Sequence, residues 1–584
     1  MNDKRSAPDD SGSAENTSRA VPAEEAGAFA VVGIGASAGG LEAVSQLLEA
    51  LPGDTGMAFV VVQHLDPRHE SNLERILAKT TSMHVHEAVH GMKVEPDNVY
   101  IIPPNSTITI AGGTLRLSPR GEGAMHHLPV DAFFKSLAED RQSGAVGVVL
   151  SGTGSDGTLG LEDIKAAGGI TFAQDEASAK YAGMPVAAVR SGCVDIVRSP
   201  AEIARELARI GHHPYVVSSE ATGGVKPAAA DDGSLRRILD LLRATFGVDF
   251  GAYRDNTIRR RIMRRMVLNV IQDLPDYAQL LVEKREELDA LYHDLLIGVT
   301  SFFREPEAFE ALKQSVFPEI LKGRSQGAPL RIWVPGCSTG QEAYSLAIAL
   351  MEYLDDKSAI PSIQIFATDL ADSTALQKAR DGLYPENIAA EVSPDRLRRF
   401  FTKEDDRYRV NKALREMCLF AKQNVAADPP FSRVDLISCR NLLIYLAAPL
   451  QKRVIPTFHY ALNPEGFLLL GASETIGNAS DLFSLVDRQH RIYRKREAAV
   501  RAYPHFVAAE KHSGMSSRPH DREAGLATGE WLREADRMLL SQYSPPGALI
   551  NNDFHVLQFR GETGFYLKPA PGEASLNLLK MARE

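Results

Sequence analysis

Val31-Val32-Gly33-Ile34-Gly35-Ala36-Ser37-Ala38-Gly39-Gly40 and Ile332-Trp333-Val334-Pro335-Gly336-Cys337-Ser338-Thr339-Gly340-Gln341-Glu342 set the architecture of this chain. Each is an apolar run that breaks into a glycine-rich turn and then a helical pattern, the strand–turn–helix opening of an α/β unit. The first turn presents a serine between glycines. The second presents backbone N–H groups with an acid close by. Two such units, each with its own reactive turn, point to two chemistries in one polypeptide.

Around the first turn, Ala28–Ile34, Ala58–Gln63, Val99–Ile102 and Ala145–Leu150 read as strands. They alternate with helical patterns at Leu41–Ala50, Ser71–Lys79, Val130–Glu139 and Leu159–Ala167. This alternation predicts a parallel, doubly wound sheet, with a small hairpin inserted over Thr107–Leu117. Around the second turn, Leu330–Val334, Ile363–Thr368, Val434–Ser438 and Gly466–Leu470 are the expected strands, and charged alternation at about 391–422 suggests a small antiparallel insert. Segment 235–298 is helix-like and carries an arginine cluster. The fold class expected is therefore α/β, with two doubly wound units.

Composition sets the outer limits. At 584 residues the chain needs more than one core. Its 44% hydrophobic and 24% charged residues are those of a globular protein, and a net charge of −10 argues against bulk affinity for nucleic acid. No run approaches the roughly 18 apolar residues of a membrane span. Cys193, Cys337, Cys418 and Cys439 are scattered as reduced thiols would be, so a cytoplasmic location without membrane insertion is expected. The expected divisions are a disordered leader over 1–27, an α/β unit over 28–212, a linker over 213–234, a helical subdomain over 235–298, a second α/β unit over 299–498, a linker over 499–527, and a helix-plus-strand segment over 528–584.

Gly35-x-Ser37-x-Gly39 fits the pattern of an exposed nucleophile on a sharp turn. Glycine-rich turns opening a helix also bind phosphate or simply pack tightly, and the pattern alone leaves these readings open. His64 ends the second strand, and Ser151-Gly152-Thr153-Gly154-Ser155-Asp156-Gly157 follows the strand Ala145–Leu150. A serine needs a base, and the base needs an acid to fix its tautomer, so Ser37, His64 and Asp156 are the candidate catalytic set. Their chain order differs from the Ser–Asp–His order of α/β-hydrolases. His84, His86 and His90 have possible ligand spacing but no accompanying carboxylate or thiol set, and no metal is expected.

With these loops, segment 28–212 resembles the catalytic domain of the CheB-type chemotaxis methylesterases. The resemblance implies Ser37 as nucleophile, His64 as base, Asp156 as its orienting acid, and backbone near Thr153 and Gly154 as oxyanion donors. The implied substrate is a glutamate γ-methyl ester or glutamine amide on a chemoreceptor. Ala38 stands where the family often has threonine, and no receiver domain is expected ahead of residue 28.

The second turn, Gly336-x-x-x-Gly340, brings backbone close to a cofactor at a helix N-terminus, and Asp369 at the end of the next strand suits ribose hydroxyls. With Thr300-Ser301-Phe302-Phe303-Arg304-Glu305 and Cys439-Arg440-Asn441-Leu442-Leu443-Ile444-Tyr445, segment 235–495 resembles the CheR-type glutamate methyltransferases. The resemblance implies S-adenosylmethionine as cofactor, lined by Thr300, Arg304, Glu342, Asp369, Asn424, Val425, Cys439 and Arg440, the last two and Val425 through backbone. Gly298 departs from an asparagine common in the family. Arg304 and Tyr445 are the candidates for orienting the acceptor carboxylate; a salt bridge and core packing are their respective alternatives. Arg259, Arg260, Arg261, Arg264 and Arg265 share one short helix, which by resemblance faces the acidic cytoplasmic helices of a receptor. The C-terminal segment weakly resembles the start of a PAS domain. The expected protein writes and erases glutamyl methyl esters. The rival expectations are a receptor-binding scaffold without turnover, and a general esterase fused to a small-molecule methyltransferase.

Overall fold

A computed structural model describes residues 29–64, 72–119, 128–211, 213, 215, 232–296, 298, 300–322, 324, 328–355, 361–370, 373–405, 407–497, 547–551, 553–560, 567 and 577–581. The expected leader, most of both linkers and the helix expected at Glu530–Gln542 lie outside these residues.

The first unit contains β1 (Val31–Ala36), β2 (Ala58–Gln63), β3 (His84–Glu87), β4 (Asn98–Ile101), β7 (Ala145–Val149), β8 (Ile170–Gln174) and β9 (Ile196–Arg198), in the order β3-β4-β2-β1-β7-β8-β9. All neighbours run parallel. A separate antiparallel hairpin, β5 (Ser106–Ala111) and β6 (Thr114–Pro119), fills the expected insert. The central strands are apolar throughout because helices cover both faces. α1 (Gly40–Ala50) and α6 (Pro200–Gly211) pack on one face. α3 (Pro129–Arg141), α4 (Thr158–Ala167) and α5 (Gly183–Ser191) pack on the other; α2 (Leu73–Leu77) is short. Gly35 admits α3 to close range: a Cβ there would meet Val130 Cγ1 at 2.3 Å. β8 is absent from the sequence-based expectation, although its residues are all buried. A short apolar run does not by itself distinguish strand from helix.

The helical subdomain consists of α7 (Asp232–Phe246), α8 (Asp255–Leu268), α9 (Leu274–Glu283) and α10 (Arg285–Leu295) around Phe250, Ile258, Ile262, Tyr277 and Tyr292. α8 corrects one expectation. Arg261 and Arg264 are 2% and 0% exposed and present nothing to a receptor. The Arg261 guanidinium donates to the Lys165 carbonyl at 2.5 Å and to the Ala166 carbonyl, closing the C-terminal end of α4. Arg264 lies between Asp195 of the first unit and Asp294 of α10, and donates to the Gly169 carbonyl at 2.8 Å. Arg265 is paired with Glu287. Val267, on the same helix, joins the first unit's core. Arg261 and Arg264 therefore form an internal clamp between units, covered by residues far away in sequence, whereas Arg259 pairs with Asp255 on its own helix. Burial works to raise Asp195, but the charges of Arg264 and Lys165, with the hydrogen bonds from Arg264 and Thr171, together outweigh it and bring the carboxyl down to about 2.

The second α/β unit has the sheet order β15-β11-β10-β16-β17-β19-β18, from β10 (Leu330–Pro335), β11 (Ile363–Asp369), β15 (Cys418–Lys422), β16 (Val434–Cys439), β17 (Leu462–Leu470), β18 (Phe483–Asp487) and β19 (Ile492–Lys495). The first five are parallel, and β19 and β18 add an antiparallel edge that the strand pattern did not disclose. The small antiparallel sheet is β12 (Leu383–Pro385), β14 (Arg407–Val410) and β13 (Phe401–Glu404). It begins before the expected 391, and Cys418–Lys422, expected within it, instead pairs with β11 in the main sheet. Beyond Arg496 the described residues hold one hairpin, β20 (Gly547–Ile550) with β21 (Val556–Arg560).

Candidate active sites

In the first sheet, β1 lies between β2 and β7, the point where winding reverses and loops part to leave a crevice. Ser37 follows β1, His64 follows β2, and Asp156 follows β7 and precedes α4. Ser37 Oγ lies 3.1 Å from His64 Nδ1, and His64 Nε2 lies 2.9 Å from Asp156 Oδ2. With Nε2–H donated to the aspartate, Nδ1 carries the lone pair that accepts the serine proton. This ring orientation is opposite to that of the serine protease template, in which Nε2 faces the serine. Asp156 is 2% exposed. Its oxygens also accept from the Val130 amide at 3.1 Å and the Asp131 amide at 2.9 Å, at the N-terminus of α3. That end of a helix favours an anion. The serine loop is stitched to its neighbours: the Ser37 amide donates to Ser151 O at 3.0 Å, and Ser151 Oγ donates to Ala38 O at 2.9 Å. Gly152 passes so close that a Cβ there would sit 2.9 Å from Ser37 Cβ. Thr153 and Gly154 are exposed beside it. The chemistry this arrangement supports is attack by an activated alcohol on an acyl group.

In the second sheet, β10 lies between β11 and β16, again at the reversal. Gly336 (φ 73°) and Gly340 (φ 96°) take backbone conformations that disfavour other residues; a Cβ on Gly336 would meet Leu442 at 3.3 Å. Asp369, ending β11, accepts from the Ser338 amide at 2.7 Å. Glu342 accepts from Ser438 Oγ at 2.7 Å and from Arg440 at 2.9 Å. Arg440 also donates to the Arg304 carbonyl at 2.6 Å, tying the loop of Thr300 and Arg304 to the end of β16. Cys439 is fully buried, and burial pushes its thiol up, out of reach of nucleophilic chemistry. Asn424 caps its own turn, its Oδ1 accepting from the Ala426 amide at 3.0 Å, with the half-buried Val425 between them. Arg304 is exposed. Tyr445 is half-buried; burial raises its phenol, against the opposing charges of Arg261, Arg304 and Arg260, so it remains a donor. These bonds tie the loops that carry Arg304, Ser338, Glu342, Asp369 and Arg440 to one another at the ends of β10, β11 and β16.

The CheB methylesterase family model matches residues 32–207, the CheR all-alpha domain 233–296, and the CheR methyltransferase SAM-binding domain 298–492. Chemotaxis protein methyltransferase 1 of Pseudomonas aeruginosa is 34% identical over 44% of this chain and 95% of its own length. The chain belongs to the chemotaxis methyltransferase family. A CheB methylesterase domain precedes the CheR domains in the same polypeptide. An uncharacterised 104.1 kDa protein of Rhodobacter capsulatus is 35% identical over 87% of this chain; the chain spans 55% of that relative's length. The crystal structure of the Thermotoga maritima CheB methylesterase catalytic domain is 30% identical, with a TM-score of 0.30, over 31% of this chain and 98% of that one.

S-adenosylmethionine is the cofactor of the CheR methyltransferase domain. The residues present fit it. The two glycines bare the backbone at the helix N-terminus, and the half-exposed Asp369 carboxylate stands at the strand end where ribose hydroxyls are met. Two contributors escaped sequence reasoning. Glu474 accepts from the amides of Asn441 at 2.8 Å, Gly471 at 2.8 Å and Ile444 at 3.2 Å, and so holds the Arg440–Tyr445 loop of the CheR unit in place. Tyr253, from the helical subdomain, lies close enough to Asp369 to feel its charge, although burial is the larger cause of its raised phenol. Neither stands in a local pattern, because the partners of each are remote loops. His86 bonds Asn98 at 3.0 Å and His90 bonds the Leu117 carbonyl at 3.0 Å, roles within the local structure. Among the described residues no helix is long and apolar enough to cross a membrane.

Proposed function

We propose that this protein adds methyl groups to glutamate side chains of chemoreceptors and removes them again, working from the cytoplasm. The observation that carries the reading is the hydrogen-bonded Ser37–His64–Asp156 chain in a polypeptide that also holds the Gly336–Gly340 and Asp369 cleft.

In hydrolysis, Ser37 Oγ attacks the ester carbonyl while His64 Nδ1 takes its proton. Asp156 stabilises the imidazolium, and amides at Thr153 and Gly154 receive the oxyanion. The proton returns to the departing methoxide, releasing methanol, and water then cleaves the acyl-serine by the same base. A glutamine amide would follow the same course with ammonia leaving. In methylation, Thr300, Glu342, Asp369, Asn424, Val425, Cys439 and Arg440 would line the S-adenosylmethionine cleft, and the bound sulfonium supplies an electrophilic methyl group. The chain's own task is placement: Arg304 and Tyr445 hold the acceptor carboxylate in line. A carboxylate is already anionic at neutral pH and needs no base.

Incubating the full chain with radiolabelled methyl donor and receptor-bearing membranes tests this directly. The expected result is base-labile label on a receptor band that accumulates further with Ser37→Ala. Label on small molecules alone would favour a general methyltransferase–esterase, and receptor binding without any label a scaffold.

A further inference from the structure

The CheB-type site contains a second buried carboxyl that takes no part in the proton transfers of hydrolysis. Asp131 stands in the first turn of α3 and is 9% exposed. Its Oδ1 accepts from the Gly160 amide, in the first turn of α4, at 2.7 Å. Its own amide donates to Asp156 Oδ1 at 2.9 Å. Asp156 precedes α4 yet is bound by the amides of α3; Asp131 belongs to α3 yet is bound by an amide of α4. Each acid therefore sits on the amino end of the other's helix, a reciprocal exchange that fixes both helix ends and the carboxylate between them.

We propose that Asp131 is a positioning residue for ester hydrolysis: by tying the amino ends of α3 and α4 together around Asp156, it sets the direction in which Asp156 meets the His64 Nε2–H. The inference rests on the esterase reading of Ser37. Two adjacent anions would undo such a clamp, so the charge state of Asp131 matters. Burial, and after it the charge of Asp156, hold Asp131 well above the usual carboxylate range, with Asp163 and Glu162 on α4 pushing the same way and only the Gly160 amide opposing. Its Oδ2 is sealed from solvent without a hydrogen-bond partner among the described residues, a position tolerable for a neutral acid and costly for an anion. His64 then faces one negative charge rather than two, and the protonated Asp131 acts as a structural link.

The test compares Asp131→Asn and Asp131→Ala in the full chain, by kcat/KM for p-nitrophenyl acetate across pH and by the low-field proton resonance of His64 Nε2–H in histidine-labelled protein. Asparagine keeps the acceptor and the neutral charge, so turnover within about twofold of the parent and an unmoved resonance are expected. Alanine removes the link to Gly160, and a loss of about tenfold to a hundredfold with a displaced resonance is expected, the scale of a misplaced catalytic group. An alanine variant with parental turnover and resonance would overturn the proposal. So would an asparagine variant that stays folded yet loses the resonance, since that would mean the charge, not the link, matters. If the alanine variant does not fold, Asp131→Ser, too short to reach the Gly160 amide, takes its place with the same two outcomes. The resonance needs no turnover: a parent that shows no Ser37-dependent hydrolysis removes the esterase reading, while the two spectra still judge Asp131.

Discussion

The two α/β units solve the same placement problem and then diverge. Both put their loops where the sheet reverses, at β1 between β2 and β7 and at β10 between β11 and β16. The first joins side chain to side chain, Ser37 to His64 to Asp156, because an alcohol must be activated before it can attack. In the second, acidic side chains hold neighbouring loops: Glu342 binds Ser438 and Arg440, Asp369 binds the Ser338 amide, and Glu474 clamps three amides. Transfer from an already activated donor asks for a shaped cleft rather than a proton relay. Where the protein must make a nucleophile, its chemistry lies in a chain of ionisable groups; where the cofactor brings the reactivity, it lies in the walls.

That contrast can be broken by four measurements. Replacing Ser37 by alanine should lower ester hydrolysis by about 10⁴-fold or more while methyl transfer stays at the parental rate. Matching losses in both assays would mean the two units are not chemically separate. Replacing Arg264 by leucine takes the ion-pair partner from Asp294 and leaves Asp195 with Lys165 alone, and should cost about 3–5 kcal/mol in a denaturant titration. A negligible change would show that the boundary contributes little to stability. Asp369→Ala should weaken S-adenosylmethionine binding by calorimetry by about 1.5–3 kcal/mol, with hydrolysis untouched. Unaltered affinity would shift the ribose contact to another group.

The smallest effect is expected from pH at the boundary. Burial, then the charge of Glu391, pushes Glu162 of α4 up to about 8, and burial pushes Glu391 up to about 7. A carboxyl raised in the folded state binds its proton more tightly there than when unfolded. Its contribution is complete below the ordinary carboxylate value and is lost as pH rises through the folded value. The melting temperature should therefore fall as pH rises from the ordinary carboxylate value of 4.5 to about 8, and Glu162→Gln should flatten that slope. A slope that persists in the variant would place its origin elsewhere.

Much of this was legible in the sequence, for a local reason. A strand that runs into Gly35-x-Ser37-x-Gly39, or into Ser151–Gly157, carries its turn chemistry with it, and three such ends need only a parallel sheet to meet. The same holds for Gly336, Gly340 and Asp369. What could not be read was which surfaces other parts of the chain would cover. Five arginines on one helix look like a solvated face, and nothing near them shows that Asp195, well upstream, will receive Arg264. Glu474 and Asp131 are silent for the same reason: their partners are amides of other elements, which no spacing rule reveals. The insert's boundary was missed because Cys418–Lys422 is a short edge strand whose partner is β11.

The shared Asp195–Arg264–Asp294 bridge also bears on what either unit would look like if expressed alone. Parting the units would bring Arg264, with Asp294 as its remaining partner, and Asp195, with Lys165 as its remaining partner, into water, so each unit alone would present a charged patch that the whole chain keeps dry.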